Sequence, residues 1–228
     1  MQNIWLVANW KSNKTIAEAL EWVSKVGPEI PDSENLKVIV CPTFSCLSEV
    51  KKAITVNNFP IMVGSQDLSP FGIGAYTGEE SANLLKDLVS ISILGHSERR
   101  ENFSETDEMI VKKVTQALEN GLIPLVCVQG SDTPVPEGTK LVAYEPTFAI
   151  GSGNPDTPEN ANTVAKALKG LYTLPSGGLE ILYGGSVTSS NIKSFLNQPD
   201  INGALIGKAS LDADEFIRII KECGSETD

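Results

Sequence analysis

The chain has 228 residues, 41% of them hydrophobic, and a formal net charge of −11 at pH 7. That length allows one large α/β domain whose core needs no disulfide support. The basic residues are scattered, which argues against nucleic acid as a partner, and no apolar run approaches the ~20 residues that span a bilayer.

The thiols and the imidazole offer no metal site. Cys41, Cys46, Cys127 and Cys223 form no Cys-x-x-Cys pair, and the chain has one histidine. A zinc-type ligand set is therefore not expected. The first residues lack the basic region of a signal peptide. We expect a cytoplasmic protein with reduced cysteines that serve mainly as small buried hydrophobes.

Short apolar, β-branched runs alternate along the chain with segments of helical spacing. The predicted strands are 4–8, 38–41, 61–64, 91–94, 122–128, 141–144, 180–183 and 203–206. The predicted helices are 15–26, 44–56, 79–88, 106–119, 158–170, 191–196 and 212–223. Alternating strands and helices build a parallel sheet, and eight strands close a barrel. We predict a single (β/α)8-barrel domain over residues 1–228, with a frayed tail at 224–228.

One strand–helix unit departs from this pattern. The segment 129–138, between the fifth and sixth predicted strands, contains two prolines and two glycines. Such a segment cannot form an ordinary helix of ~11 residues. We predict that the helix between strands 5 and 6 is missing or much shortened.

Three ionisable side chains follow predicted strands, at the end of such barrels where active sites lie. Lys11 follows the first strand and brings a cation to the barrel mouth. His96 lies in the run 95–100 (GHSERR), where the start of a helical turn disfavours a protonated ring. Glu145 precedes Pro146, which keeps it extended at a strand end. Each residue alone also fits a plain structural or solvated role; together they suggest an acid–base couple beside a cation.

Two glycine-containing runs follow the last two strands, 184–186 (GGS) and 207–208 (GK). Glycines expose backbone N–H groups, and the loops after strands 7 and 8 are the usual phosphate position in this fold. A base, a neutral electrophile, a cation and a phosphate cradle together suggest proton abstraction next to a carbonyl in a phosphorylated substrate.

In this order the motifs closely resemble those of the triosephosphate isomerase family, and the match covers the whole chain. The matching runs are 9–11 (NWK), 74–79 (GAYTGE), 95–100 (GHSERR), 143–146 (AYEP), 149–153 (AIGSG), 183–187 (YGGSV) and 207–210 (GKAS). The resemblance implies interconversion of dihydroxyacetone phosphate and glyceraldehyde 3-phosphate through an enediolate, with no cofactor.

The resemblance also implies catalytic roles. Glu145 is then the base that moves a proton between C1 and C2, and neutral His96 polarises the carbonyl and shuttles protons between the enediolate oxygens. Lys11 and Asn9 stabilise developing oxyanion charge. Glu98 corresponds to the family's partner for the lysine, so we expect it to pair with Lys11.

Substrate binding and assembly are implied in the same way. The phosphate binders are Gly151, Ser186, Gly207 and Lys208, mainly through backbone N–H groups. The loop 146–156 resembles a lid that protects the enediolate from losing phosphate. The loop from Gln66 to Glu79 resembles one that enters a neighbouring subunit, which implies a homodimer.

Some positions depart from the family pattern. Phe148 stands where a tryptophan is usual in the lid hinge, Pro155 restricts the far hinge, and Gln129-Gly130 replaces Gly-Glu after the fifth strand. Two alternatives stay open. One is another phosphosugar isomerase or epimerase on this scaffold; the other is a catalytically weak barrel variant acting as a phosphate-ligand binder or scaffold.

Overall fold

The computed structural model describes residues 3–149, 153–172 and 178–224. Eight parallel strands form a closed barrel in sequence order, and the last strand pairs with the first. The strands are β1 Ile4–Asn9, β2 Leu36–Cys41, β3 Ile61–Ser65, β4 Ile91–Leu94, β5 Ile123–Val128, β6 Leu141–Tyr144, β7 Glu180–Tyr183 and β8 Gly203–Ile206. The predicted (β/α)8 barrel is confirmed.

The helices surround this barrel. They are α1 Ile16–Val26, α2 Phe44–Val56, α3 Ala82–Leu85, α4 Ser97–Phe103, α5 Asp107–Glu119, α6 Pro158–Leu171, α7 Ile192–Leu196 and α8 Ala213–Gly224. Short 3₁₀ turns occupy Gly27–Glu29, Thr147–Ala149 and Lys208–Leu211. Within the described residues, no helix has the length and apolarity needed to cross a bilayer.

Most observed bounds lie within two residues of the predicted ones, but α4 was not among the predicted helices, and two further expectations are wrong. The predicted helix 79–88 is reduced to α3, because the Glu80 carbonyl accepts the Ser69 N–H at 2.8 Å and keeps that residue in the preceding loop. Gly224 was expected in a frayed tail but is the last residue of α8. The rest of the predicted tail, 225–228, lies outside the described residues.

Side chains alternate between the two faces of the barrel wall, as parallel strands require. Positions such as Val7, Ile93 and Ala143 fill the interior, whereas Leu6 and Tyr144 belong to the layer between the strands and the helices. This alternation directs the residue after Tyr144 back toward the barrel axis, and that residue is Glu145.

The segment 129–140 contains no helix, so the prediction of a missing helix is confirmed. The segment covers part of the barrel wall itself. Val135 is buried, and its N–H donates to the Tyr172 hydroxyl at 3.1 Å. A Cβ on Gly138 would lie 2.6 Å from Leu118 Cδ1. The irregular segment therefore packs between α5 and the C-terminal end of α6.

Four charged side chains form a cluster between β3, α4 and α5. The Lys113 ammonium contacts Asp67 at 2.6 Å and also contacts Glu105, and its side chain is 2% exposed. The Arg99 guanidinium lies 2.8 Å from each of the same two carboxylates. Two cations and two anions therefore neutralise one another where water is scarce, as buried charges require.

The sequence analysis missed this charge cluster. Its one visible signal is Lys113, which shares a helical face with Ile110, Val114 and Ala117, all buried. A lysine on the apolar face of an amphipathic helix needs buried anions, but the helical spacing cannot say which residues supply them.

Candidate active site

Glu145 extends β6 by one residue into the barrel mouth. Its N–H donates to the Val128 carbonyl at 2.8 Å, and its side chain is 1% exposed. One carboxylate oxygen lies 3.0 Å from His96 Nε2, and the other accepts the Ser97 N–H at 3.0 Å. A Cβ on Gly184 would come within 2.8 Å of Glu145 Cγ, so the glycine makes room for the carboxylate.

His96 lies at the N-terminal end of α4. Gly95 has φ +68°, a left-handed conformation that suits glycine, and it turns the chain from β4 into the helix. His96 Nδ1 accepts the Glu98 N–H at 3.2 Å. A ring nitrogen that accepts a hydrogen bond carries no proton, so the ring is neutral with its proton on Nε2. That Nε2–H faces Glu145.

Burial would raise the pKa of the Glu145 carboxyl, but its neighbours outweigh burial. His96, the Ser97 N–H and the Lys11 ammonium together hold the pKa of Glu145 below its ordinary value of 4.5. The carboxyl is therefore ionised at neutral pH. An ionised carboxylate in a dry position is able to accept a proton from a bound molecule.

Lys11 has a strained backbone beside these groups. Its φ is +51°, which is uncommon for a residue with a side chain. Its N–H donates to Asn9 Oδ1 at 3.1 Å, and its carbonyl accepts the Gln66 amide at 2.8 Å. Its ammonium lies 2.5 Å from Glu98 Oε1. Strain of this kind clusters at functional sites, and here it aims the ammonium at the barrel mouth.

These side chains share one cavity of about 680 Å³ at the carboxyl ends of the strands. Its lining includes seven residues proposed from the sequence: Asn9, Lys11, His96, Glu145, Ser186, Gly207 and Lys208. Glu98 is absent from the lining but holds Lys11. Gly151 lies outside the described residues. The cavity therefore brings most of the predicted set together.

The loop after β7 contacts both described ends of the segment that follows Glu145. The Ser186 hydroxyl donates to the Ala149 carbonyl at 2.7 Å and accepts the Gly153 N–H at 3.2 Å. Gly207 adjoins Lys11, since a Cβ there would lie 3.4 Å from Lys11 Cε. Lys208 is exposed at the start of the next 3₁₀ turn.

The sequence did not indicate several features of this site. The Ser97 N–H and Gln66 orient groups that the motifs do contain, while Asn13, Leu211 and Glu215 extend the cavity. Backbone donors and long-range amides leave no spacing signal. Over the described parts of the chain, no group of His, Cys, Asp or Glu side chains could hold a metal ion.

A closed (β/α)8 barrel with an ionised carboxylate opposed to a neutral imidazole, beside a lysine, defines an enzyme site suited to proton transfer. Glycine runs after β7 and β8 give the same cavity an anion-binding side.

The comparisons with known proteins agree with this class. The family model described as triosephosphate isomerase matches residues 4–223. The triosephosphate isomerase of Alkaliphilus oremlandii is 40% identical over 94% of this chain and 97% of its own. The same enzyme from Thermoanaerobacter pseudethanolicus is 41% identical over the same shares, and that of Clostridium botulinum is 39% identical over 96% and 99%. The chain belongs to the triosephosphate isomerase family.

Proposed function

We propose that this chain interconverts dihydroxyacetone phosphate and glyceraldehyde 3-phosphate by proton transfer through an enediolate. One observation carries the proposal: the Glu145 carboxylate and the His96 Nε2–H lie 3.0 Å apart in the cavity that Lys11 lines. Enolisation next to a carbonyl needs a base and a hydrogen-bond donor of the protein that act on the same bound molecule.

In this proposal Glu145 is the base. It takes a proton from C1 and returns it to C2, so one carboxylate serves both directions. Its contacts with the Ser97 N–H and with His96 hold it ionised before substrate binds. The substrate displaces the carboxylate from one of these partners, which brings the carboxylate against the carbon acid.

His96 is the electrophile in this proposal. Its Nε2–H donates to the substrate carbonyl, and Nε2 then gives this proton to one enediolate oxygen and takes a proton back from the other. Lys11 and Asn9 stabilise the negative charge that develops on those oxygens. Glu98 keeps the Lys11 ammonium at the mouth through their 2.5 Å ion pair.

The substrate phosphate binds, in this proposal, against Ser186, Gly207 and Lys208, with Gly151 as a further binder. Two glycine-containing loops and an exposed lysine at the ends of β7 and β8 support that assignment. In this proposal the segment 146–156, called the lid below, closes over the bound substrate. The contacts of Ala149 and Gly153, in the described parts of this segment, with Ser186 support this role.

We also propose a homodimer through the loop from Gln66 to Glu79. Three large apolar side chains of this loop are exposed: Phe71, Ile73 at 72%, and Tyr76. The Phe71 and Tyr76 rings stack with centroids 4.3 Å apart, so they form one apolar surface. An exposed apolar patch of this kind is typical of an interface.

Sedimentation of the Ile73→Asp variant tests the assembly. We expect a charge at the loop tip to convert dimers into monomers at micromolar concentration. Val56→Asp is the matched control, because Val56 is 75% exposed on α2 and outside the loop. A monomeric parent protein, or a dimer that survives Ile73→Asp, would contradict the proposal.

A cytoplasmic location is part of the same proposal. All four cysteines are free, and three of them are buried. Free thiols persist in reducing compartments, which supports this location.

A coupled assay with both trioses tests the activity. We expect Glu145→Gln to lower kcat by about 10³-fold, because the amide cannot accept the proton. Glu101→Gln, an exposed change on α4, should leave kcat unaltered. A parent protein that is more efficient on larger sugar phosphates would favour the epimerase alternative. Binding of 2-phosphoglycolate without turnover would favour the scaffold alternative.

A further inference from the structure

Asp156 makes several contacts at the C-terminal end of the lid. Its Oδ2 accepts the Tyr144 hydroxyl at 3.3 Å and the Asn160 amide at 2.7 Å. Its Oδ1 accepts the Thr157 N–H at 2.8 Å, and its own N–H donates to the Tyr183 hydroxyl at 2.7 Å. Asp156 therefore joins the lid to β6, to β7 and to the first turn of α6.

The two tyrosines are rigid attachment points. Both side chains lie in the layer outside the barrel, with ring centroids 6.4 Å apart, and Tyr183 stacks on Phe195 at 4.0 Å. Burial, followed by the nearby Asp156 carboxylate, raises the pKa of Tyr144 to about 12. The Tyr144 hydroxyl thus keeps its proton at neutral pH and remains a donor to the carboxylate.

The lid end itself has little backbone freedom. Pro155 fixes its own φ and restricts the residue before it, and Pro158 restricts Thr157 in the same way. Asp156 stands between these stiff positions. A change in the angle of the lid therefore requires Asp156 to leave its tyrosine partners. Tyr144→Phe removes the side-chain bond and leaves the contact between the Asp156 N–H and the Tyr183 hydroxyl in place.

The hydrogen bond between Tyr144 and Asp156 lies one residue along the chain from the proposed base, Glu145. Tyr144 precedes Glu145, and adjacent strand residues face opposite sides of the wall. The tyrosine hydroxyl thus holds the lid on the outer side while the carboxylate faces the cavity on the inner side.

We propose that the Asp156 carboxylate is a positioning residue that ties the C-terminal end of the lid to Tyr144, and so keeps the lid over the bound phosphorylated substrate. The inference rests on the proposed function and on the segment 146–156 acting as its lid. Asp156 touches no reacting atom; it acts on how long and how tightly the substrate is enclosed.

Asp156→Ala and Tyr144→Phe each remove this bond from one side. We expect each variant to raise KM about 3- to 10-fold with kcat within twofold of the parent, and to weaken 2-phosphoglycolate binding by a similar factor. The double variant should be no worse than the poorer single variant, because both remove the same bond. Inorganic phosphate released per isomerisation should rise, since a looser lid lets the enediolate expel phosphate.

Asn160→Ala is the matched control, because it removes the α6 contact of Asp156 and leaves the tyrosine contact. We expect it to keep KM and phosphate release near the parent values. Additive effects in the double variant would overturn the inference. So would Asp156→Ala and Tyr144→Phe variants that differ from the parent only in unfolding midpoint.

The measurement of 2-phosphoglycolate binding distinguishes failure of this inference from failure of the proposed function. If the parent binds 2-phosphoglycolate but does not isomerise trioses, the proposed function fails, and weaker binding in both variants still supports the Asp156 contact. If the parent is active and both variants match it in KM, binding and phosphate release, the inference fails and the proposed function stands.

Discussion

The Asp67→Asn variant tests whether burial or ion pairing controls the pKa of Asp67, which belongs to the charge cluster of Asp67, Arg99, Glu105 and Lys113. The two cations at 2.6 and 2.8 Å act to lower the pKa of Asp67. Burial acts in the opposite direction and is the largest effect, and Glu105 adds to it. The pKa of Asp67 rises from 3.8 to about 6.

The sign of the stability effect follows from this direction. The folded protein binds the Asp67 proton more tightly than the unfolded chain does. The stabilisation is fully present below pH 3.8 and is lost as pH rises through about 6. The pKa difference of about 2 corresponds to about 3 kcal/mol of unfolding free energy, at ~1.36 kcal/mol per pKa unit.

The measurement is urea unfolding of the parent and of Asp67→Asn from pH 4 to pH 7, with tryptophan fluorescence as the signal. Asparagine does not titrate, so the unfolding free energy of the parent relative to the variant should fall by about 2 kcal/mol between pH 4 and pH 7, since a small part of the effect is already lost at pH 4. Subtraction removes the other carboxylates that titrate there. Asp214→Asn, which breaks an exposed pair with Lys25, is the control and should change the unfolding free energy much less than Asp67→Asn does.

A constant difference between the parent and Asp67→Asn would refute the reasoning. A difference that grows in favour of the parent with rising pH would also refute it, because that result means that Lys113 and Arg99 outweigh burial.

Four further outcomes are expected. His96→Gln should lower kcat at least about 100-fold with an unchanged circular dichroism spectrum, because an amide can donate a hydrogen bond but cannot give and take back a proton as the ring does; full activity would assign carbonyl polarisation and proton shuttling to another group. Lys11→Met should raise KM about 10-fold or more and reduce its dependence on salt, because the cation at the mouth is lost; an unaltered KM would remove Lys11 from substrate binding. Gly203→Ala should cost about 3 kcal/mol in urea unfolding, because its Cβ would collide with the backbone of Trp5. Gly170→Ala on α6, where a Cβ meets nothing within 4 Å, should instead stabilise by about 0.5 kcal/mol.

Local signals in the sequence predicted most of the elements well. β4, β6, β7 and β8 have the predicted bounds. The helix α1 begins one residue after its predicted start, because Thr15 is its N-cap. The prolines and glycines of 129–138 correctly predicted a missing helix. The length of α3 was wrong because a long-range hydrogen bond to the Glu80 carbonyl, absent from any local pattern, decides where that helix begins.

The site divides in the same way. The positions of Glu145 and His96 at strand ends could be predicted, because strand ends gather at one edge of a barrel. Their separation of 3.0 Å and the Ser97 N–H bond could not be predicted, since both depend on the stagger of β4 against β6 across the barrel. The sequence places Asp156 only at the end of the loop, beside the hinge that Pro155 restricts, because its partners are distant tyrosines that no spacing links to it.

By itself, the amino-acid order determined the eight strands, most of the helices between them, the missing helix and the identity of the groups at the barrel mouth. These properties follow from hydrophobic periodicity and from the restricted backbones of proline and glycine, which act over a few residues. Only the tertiary structure decided which charges neutralise Lys113, which ring nitrogen of His96 carries the proton and which residues hold the lid. Hydrogen bonds and burial between residues far apart in the chain set those features, and they exist only once the barrel has closed.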